Sequence, residues 1–174
     1  KEEVASEAKP AATPATKDVV DTSDVNHLEK ASATASNHEA NTQYTAEKAI
    51  DGKPDTRWAT DQNVEKPTIE FTLEKTTVIK HVEIDWDRRV RGEQNDPNIK
   101  SWNLYYAGQD DVNGSGVKEW KLAYQRTGNP LLDEKIDLKE AIQAKYLKLE
   151  ITDYQAGTMN WKNVGIQEIR AYSN

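Results

Sequence analysis

At 174 residues the chain has room for one good-sized core, and a domain of this length buries roughly two thirds of its unfolded surface. Its 23 Lys and Arg against 30 Asp and Glu give a formal net charge of -7 with no basic run, which argues against nucleic acid or an anionic bilayer as the main partner. There is no cysteine, hence no disulfide and no thiolate site, and no apolar stretch approaches the roughly 18 residues that a membrane span needs. A neutral or cationic ligand suits this balance better.

Residues 1–27 are rich in Ala, Thr, Pro and acids and hold no aromatic residue, so they read as a disordered linker or tail, with the globular part expected over 28–174. A start at Lys1 without methionine leads to the expectation of a piece of a larger, secreted or cell-surface protein. Short helical patches are predicted at Thr45 to Ile50 and Lys139 to Ala144. Elsewhere the apolar pattern has period two. Thr68 to Leu73, Val78 to Trp86, Ile99 to Ala107, Tyr146 to Ile151 and Val164 to Tyr172 read as strands, with Val82, Ile84 and Trp86 on one face. Trp102, Leu104 and Tyr106 share a face, and Trp120, Leu122 and Tyr124 repeat the pattern, which predicts Trp102 and Trp120 in the core.

Many short strands with turn signals between them predict an all-β chain, an antiparallel β-sandwich or jelly roll. The longest irregular segments are Asn37 to Tyr44, Ala59 to Lys66, Asp87 to Asn98, Ala107 to Gly116 and Asp153 to Asn163. In a sandwich the loops at one end carry function, because the sheets fix their bases and leave the tips free to vary. The stretch A-I-D-G-K-P-D-T-R-W-A at Ala49 to Ala59 stands out: Asp51-Gly52 is a turn dipeptide and Pro54 stiffens the residues after it. Such a turn aims carbonyls and a carboxylate inward, which suits a hard cation.

The run S-A-T-A-S-N-H-E-A-N-T-Q-Y-T-A-E-K-A-I-D-G-K-P-D-T-R-W-A-T-D, then I-K-S-W-N-L-Y-Y-A and V-G-I-Q-E-I-R-A-Y, resembles the discoidin-type (coagulation factor V/VIII type C) domain. More narrowly it is similar to the family 32 carbohydrate-binding modules of bacterial glycan-degrading enzymes. The resemblance implies a galactose-binding-domain-like jelly roll and a structural calcium ion. By position, Asp51 and Glu168 would give side-chain oxygens, Thr56 its hydroxyl, and Lys48, Lys53 and Gln167 backbone carbonyls. Asp51 and Glu168 lie 117 positions apart, so the ion would fasten the two ends of the domain.

The same resemblance places a ligand site on loops away from that ion. A sugar offers an apolar ring face and a rim of hydroxyls, so it needs an aromatic platform beside planar donors and acceptors. Trp161, flanked by Asn160, is the expected platform. Arg88 or Arg89, with Asn95 and Asn98, would supply the polar counterpart, and the sequence leaves open which of Arg88, Arg89 and Arg91 faces the ligand. His38 and Glu39 on the first loop and Asp61 on the second are further hydrogen-bonding candidates. Galactose-binding members place histidine directly after the motif tryptophan; Ala59 stands there, which shifts the expectation toward an N-acetylglucosamine-containing glycan. Trp58 and Trp86 are expected to be buried.

The implied function is non-catalytic glycan binding by a monomeric module tethered to a glycoside hydrolase. The family's other use, phospholipid or protein binding in adhesion, calls for bare apolar loop tips and basic rims. These loops are instead full of Asp, Asn and Glu, which ranks a membrane partner second. Catalysis by a carboxylate pair is a third reading, but no nucleophile elbow, zinc-ligand helix or phosphate loop is present.

Overall fold

The computed structural model describes residues 19–87, 97–157 and 160–174. Seven antiparallel strands are joined with a single 3₁₀ turn, Ala46–Ala49: β1 (Ser32–Ala35), β2 (Trp58–Ala59), β3 (Thr68–Trp86), β4 (Ile99–Ala107), β5 (Lys121–Arg126), β6 (Asp133–Tyr154) and β7 (Gly165–Tyr172). Their hydrogen-bonded order is β2-β7-β3-β6-β4-β5, with β1 on the free edge of β3. The antiparallel β-sandwich expected from the sequence is therefore what the chain forms.

The layers arise from two long strands. The first part of β3 lies between β1 and the second part of β6, which continues to β4 and β5; its second part lies between β7 and the first part of β6. Both layers contribute to one core, with Ile69, Phe71 and Leu73 from the first part of β3 and Val82, Ile84 and Trp86 from the second. The buried positions change parity along this strand. The change coincides with a register shift between Ile79 and His81, where β3 advances two residues while β6 advances five, and both apolar runs face inward.

Two expectations are corrected. Lys139 to Ala144 is the middle of β6 and not a helix: Ile79 pairs with Ile142 and Thr77 with Ala144. A six-residue helix is marginal in water, whereas this ladder satisfies the same backbone groups and lets Ile142 and Ala144 continue the alternation of Ile136 and Leu138. Trp102 is fully buried as expected, but Trp120 is only partly buried, under Lys148. The cause is a bulge. Leu104 pairs with Tyr124 while Tyr105 pairs with Leu122, so Ala123 is the extra residue and everything before it turns outward. Residues 19–27 lie against the sheet. Asp21 exchanges backbone hydrogen bonds with Thr76 and Val78, and buried His27 donates its N–H to the Ala171 carbonyl and places Nε2 2.9 Å from Ser173 Oγ.

One buried charge organises the core beneath the loops. Glu134 Oε2 accepts the indole N–H groups of both Trp86 and Trp102, while its Oε1 lies 2.9 Å from Arg126 Nε. A carboxylate this enclosed is tolerated because every oxygen has a donor. The two tryptophans, 6.1 Å apart edge to face, are thereby locked as the roof of the core.

Candidate functional site

The turn at Asp51 and strand β7 meet as the sequence implies. Gly52 takes φ +71°, a conformation that glycine adopts without penalty, and this turns its N–H onto Glu168 Oε2 at 3.2 Å. Asp51 accepts from the Lys53 N–H at 3.0 Å and from the Thr56 hydroxyl at 2.7 Å, and the Thr56 hydroxyl also lies 3.1 Å from the Lys53 carbonyl. Lys48 belongs to the 3₁₀ turn just ahead, and Gln167 with Glu168 lines a cleft of about 500 Å³ beside Gly52, Lys53 and Pro54.

The electrostatics of this junction are unbalanced. Glu168 is buried and its Oε1 has no hydrogen-bond partner among the described residues. Burial first, and then the Asp51 carboxylate, push its carboxyl up to about 7, against the opposing help of the Gly52 N–H and Arg170. Two carboxylates, a hydroxyl and turn carbonyls around an orphaned buried oxygen form a donor set that a calcium ion fits. Among the described residues no three His, Cys, Asp or Glu side chains gather as a metal site, so such an ion would draw most of its oxygens from carbonyls and Thr56.

The loop end is built differently. Asn37 and Asp61 form a reciprocal pair: the Asn37 amide donates to Asp61 Oδ2 at 3.0 Å and the Asp61 N–H to Asn37 Oδ1 at 2.8 Å. Asp61 Oδ1 also accepts the Ala40 N–H, and that bond, with Asn37, holds its carboxyl below the ordinary range. The Trp58 indole, fully buried as expected, donates to the Asn37 carbonyl at 3.0 Å, and the Glu39 N–H to the Ala59 carbonyl at 2.8 Å. The first two loops are thereby clamped together. Asn63 and Thr60 donate to the carbonyls of Lys162 and Val164, which brings the final loop alongside.

Asn98 lies deeper than the sequence suggests. It is buried, and its amide nitrogen donates to the Asn163 carbonyl at 2.7 Å and the Gln155 carbonyl at 3.3 Å, so it braces the floor of the end. Its fellow candidates Arg88, Arg89 and Asn95 lie outside the described residues. Of the others, His38 and Asn160 are exposed, Asn160 at φ +58°, and Glu39 and Trp161 are partly exposed. The geometry thus brings His38, Glu39, Asp61, Asn160 and Trp161 to one end of the sandwich.

Sequence reading missed the support under these loops. Arg57 Nε lies 3.3 Å from buried Asp87 and its guanidinium stands 4.3 Å above the Tyr44 ring, tying the Asp51 turn to the start of the third loop. Gly165 is required there: a Cβ would fall 2.6 Å from that of Asp87. Lys162 over Tyr154, with the Tyr154 hydroxyl donating to the Val64 carbonyl at 2.7 Å, closes the other side. The only hint in sequence was the density of Asn and Gly in these segments.

Solved structures share this architecture. The family 32 carbohydrate-binding module from Streptococcus pneumoniae EndoD superposes with a TM-score of 0.69 at 22% identity, over 86% of this chain and 100% of that one. Chitosan-binding module 1, derived from a chitosanase/glucanase of Paenibacillus sp. IK-5, gives 0.66 at 21% identity, over 85% and 98%. The family 32 module of Clostridium perfringens NanJ, solved in complex with galactose, gives 0.63 at 18% identity, over 86% and 98%. A comparison with curated protein sequences returned no match. The F5/8 type C domain model matches residues 32–166, and the chain belongs to that family.

Proposed function

We propose that this is a non-catalytic glycan-binding module that holds a secreted glycoside hydrolase on its substrate, with the loop end as its sugar site and calcium as a structural ion. The observation that carries the reading is the partly exposed Trp161 on a loop that three hydrogen-bonded neighbours hold in place, beside exposed Asn160 and at the same end of the sandwich as exposed His38. A ring fixed beside short polar side chains stacks on a sugar face and meets its hydroxyls. The similarity to a chitosan-binding module and to a galactose-bound module supports the ligand class, and the origin of the former in a chitosanase/glucanase supports the tether to an enzyme.

An N-acetylglucosamine-containing glycan fits better than galactose. Ala59 is fully buried and paired with Gly165, so a hydrogen-bonding side chain is absent where galactose binders carry one. His38 precedes the residue whose N–H holds the Ala59 carbonyl, and its side chain is exposed on the neighbouring loop. The calcium reading rests on the orphaned Glu168 oxygen.

An open site with one platform binds weakly, with a Kd of roughly 0.1–1 mM, and tethering compensates by raising effective concentration. Titration calorimetry of residues 19–174 with N-acetylchitotriose and with galactose tests the assignment. Tighter binding of the chitotriose, lost in Trp161→Ala, is expected; binding indifferent to Trp161→Ala sinks the site.

A further inference from the structure

A second aromatic surface lies on the outer face of the sandwich, produced by the same bulge at Ala123 that turns Trp120 outward. Glu70, Lys148, Tyr105 and Leu122 are register partners across β3, β6, β4 and β5, so their side chains form one row on a single face. Tyr146 stands two residues from Lys148 on that face, and Glu150 two residues to the other side. Trp120 joins from the approach to β5. The Lys148 ammonium lies 4.5 Å from the Trp120 ring centre and 5.1 Å from that of Tyr105, and the Lys118 ammonium 4.9 Å from that of Tyr146.

Three partly buried rings thus surround two cations, flanked by Leu122 and Val117, which are 54% and 61% exposed. Some of the polar groups between them keep hydrogen-bonding capacity. Tyr105 Oη accepts from the Asn103 amide at 3.1 Å, which leaves its own hydrogen to donate outward. Among the described residues the Tyr146 hydroxyl makes no hydrogen bond, and Lys148 and Glu150 make no ion pair, whereas Lys118 is paired with Glu70 at 3.5 Å. Lys118 and Lys148 balance Glu70 and Glu150, so charge selects nothing here. Rings with free donors and acceptors in near-equal number are the chemistry that recognises an uncharged polyhydroxylated chain.

We infer that this face is a second glycan-binding surface, separate from the loop end, that takes an extended uncharged polysaccharide across the strands through Tyr105, Trp120 and Tyr146. Tyr105 is six residues along β4 from Ile99, about 20 Å at strand rise, so a short oligosaccharide at the loop end does not reach it. The inference stands whether or not Trp161 binds sugar. Two surfaces on one module favour a polymer over its fragments, since the second contact is made at high effective concentration.

The test is affinity electrophoresis of residues 19–174 in gels carrying glycol chitin, mixed-linkage β-glucan or galactomannan, with polygalacturonate as the anionic comparison. At least one uncharged polymer should retard the parent, Trp120→Ala and Tyr105→Ala should each weaken that retention about tenfold, and Trp161→Ala should preserve most of it. Titration with N-acetylchitotriose should show the reverse ranking, which separates failure of this face from failure of the loop end. Urea midpoints of the variants confirm that each is folded, and where Trp120→Ala is not, Tyr105→Ala decides. Retention unchanged in the folded variants, retention only by polygalacturonate, or no retention of the parent overturns the inference.

Discussion

The Asp51 junction and the loop end are made of the same materials, short turns and carboxylates, and they put them to opposite uses. At the loop end Asp61 has donors on both oxygens, and its acidity is strengthened; at the junction Glu168 is buried with one oxygen orphaned, and its acidity is suppressed. Donors without burial give a rigid frame that needs nothing further. Burial without enough donors gives a site that is complete only with a proton or a cation. The contrast separates a frame that is complete in itself from a junction that a further group would complete.

The largest effect on this contrast is expected from Gly165→Ala. The added Cβ meets Asp87 at the base of the loop end, so the urea midpoint should fall by the equivalent of about 1–3 kcal/mol. An unchanged midpoint would mean that the frame yields, and the loop end would lose its claim to rigidity. Calcium should act only at the junction. At about 100 times its Kd the ion should stabilise the fold by about 2.7 kcal/mol in differential scanning calorimetry, and Glu168→Gln should abolish that gain while Trp161→Ala keeps it. Loss of the gain in both variants would merge the two regions into one. Trp161→Ala should in turn weaken oligosaccharide binding at least tenfold, about 1.4 kcal/mol, with melting nearly unchanged.

The pH dependence sharpens the comparison further. In calcium-free protein the Glu168 carboxyl titrates near 7 against an ordinary 4.5, so its protonated form favours the fold. Its contribution is complete below about 4.5 and is lost as pH rises through 7, and Glu168→Gln should flatten that decline in thermal melts. With calcium the slope should diminish or invert, because the ion binds the ionised form. The smallest effect belongs to His81, whose ring is held by Asp137 at 2.7 Å and by Glu83 at 3.3 Å. The hydrogen bond to Asp137 raises its pKa first, with Glu83 adding to it against burial, so its contribution is present below 6.5 and fades as pH passes the raised value. Asp137 is largely exposed, so His81→Gln should cost under about 1 kcal/mol at pH 6 and less at pH 9.

Period-two alternation was enough to place Trp86 and Trp102 inside, because each lies in a segment whose inward side is continuous. It failed at Trp120 for want of one residue: a bulge at Ala123 leaves no mark in composition, yet it reverses every side chain beyond it. Lys139 to Ala144 misled in another way, since its helix formers were overridden by a partner strand far away in sequence. At the site, the meeting of the Asp51 turn with Glu168 was legible only through family resemblance, because nothing local links positions 117 apart, and the Gly52 N–H that makes the contact was not foreseen. The descent of Asn98 to the floor depended on carbonyls at Gln155 and Asn163 that no spacing rule points to.

The long strands have a consequence for how the molecule comes apart. Because β3 and β6 each run through both layers, the two layers cannot come apart without breaking those two strands, although the edge strands β1, β2 and β5 can fray alone. Amides from Ile69 to Ile84 should therefore exchange with solvent at one common rate, as a single unfolding unit, while the Gly52 turn exchanges sooner. A module dragged along a polymer by a working enzyme would be pulled against that whole unit at once.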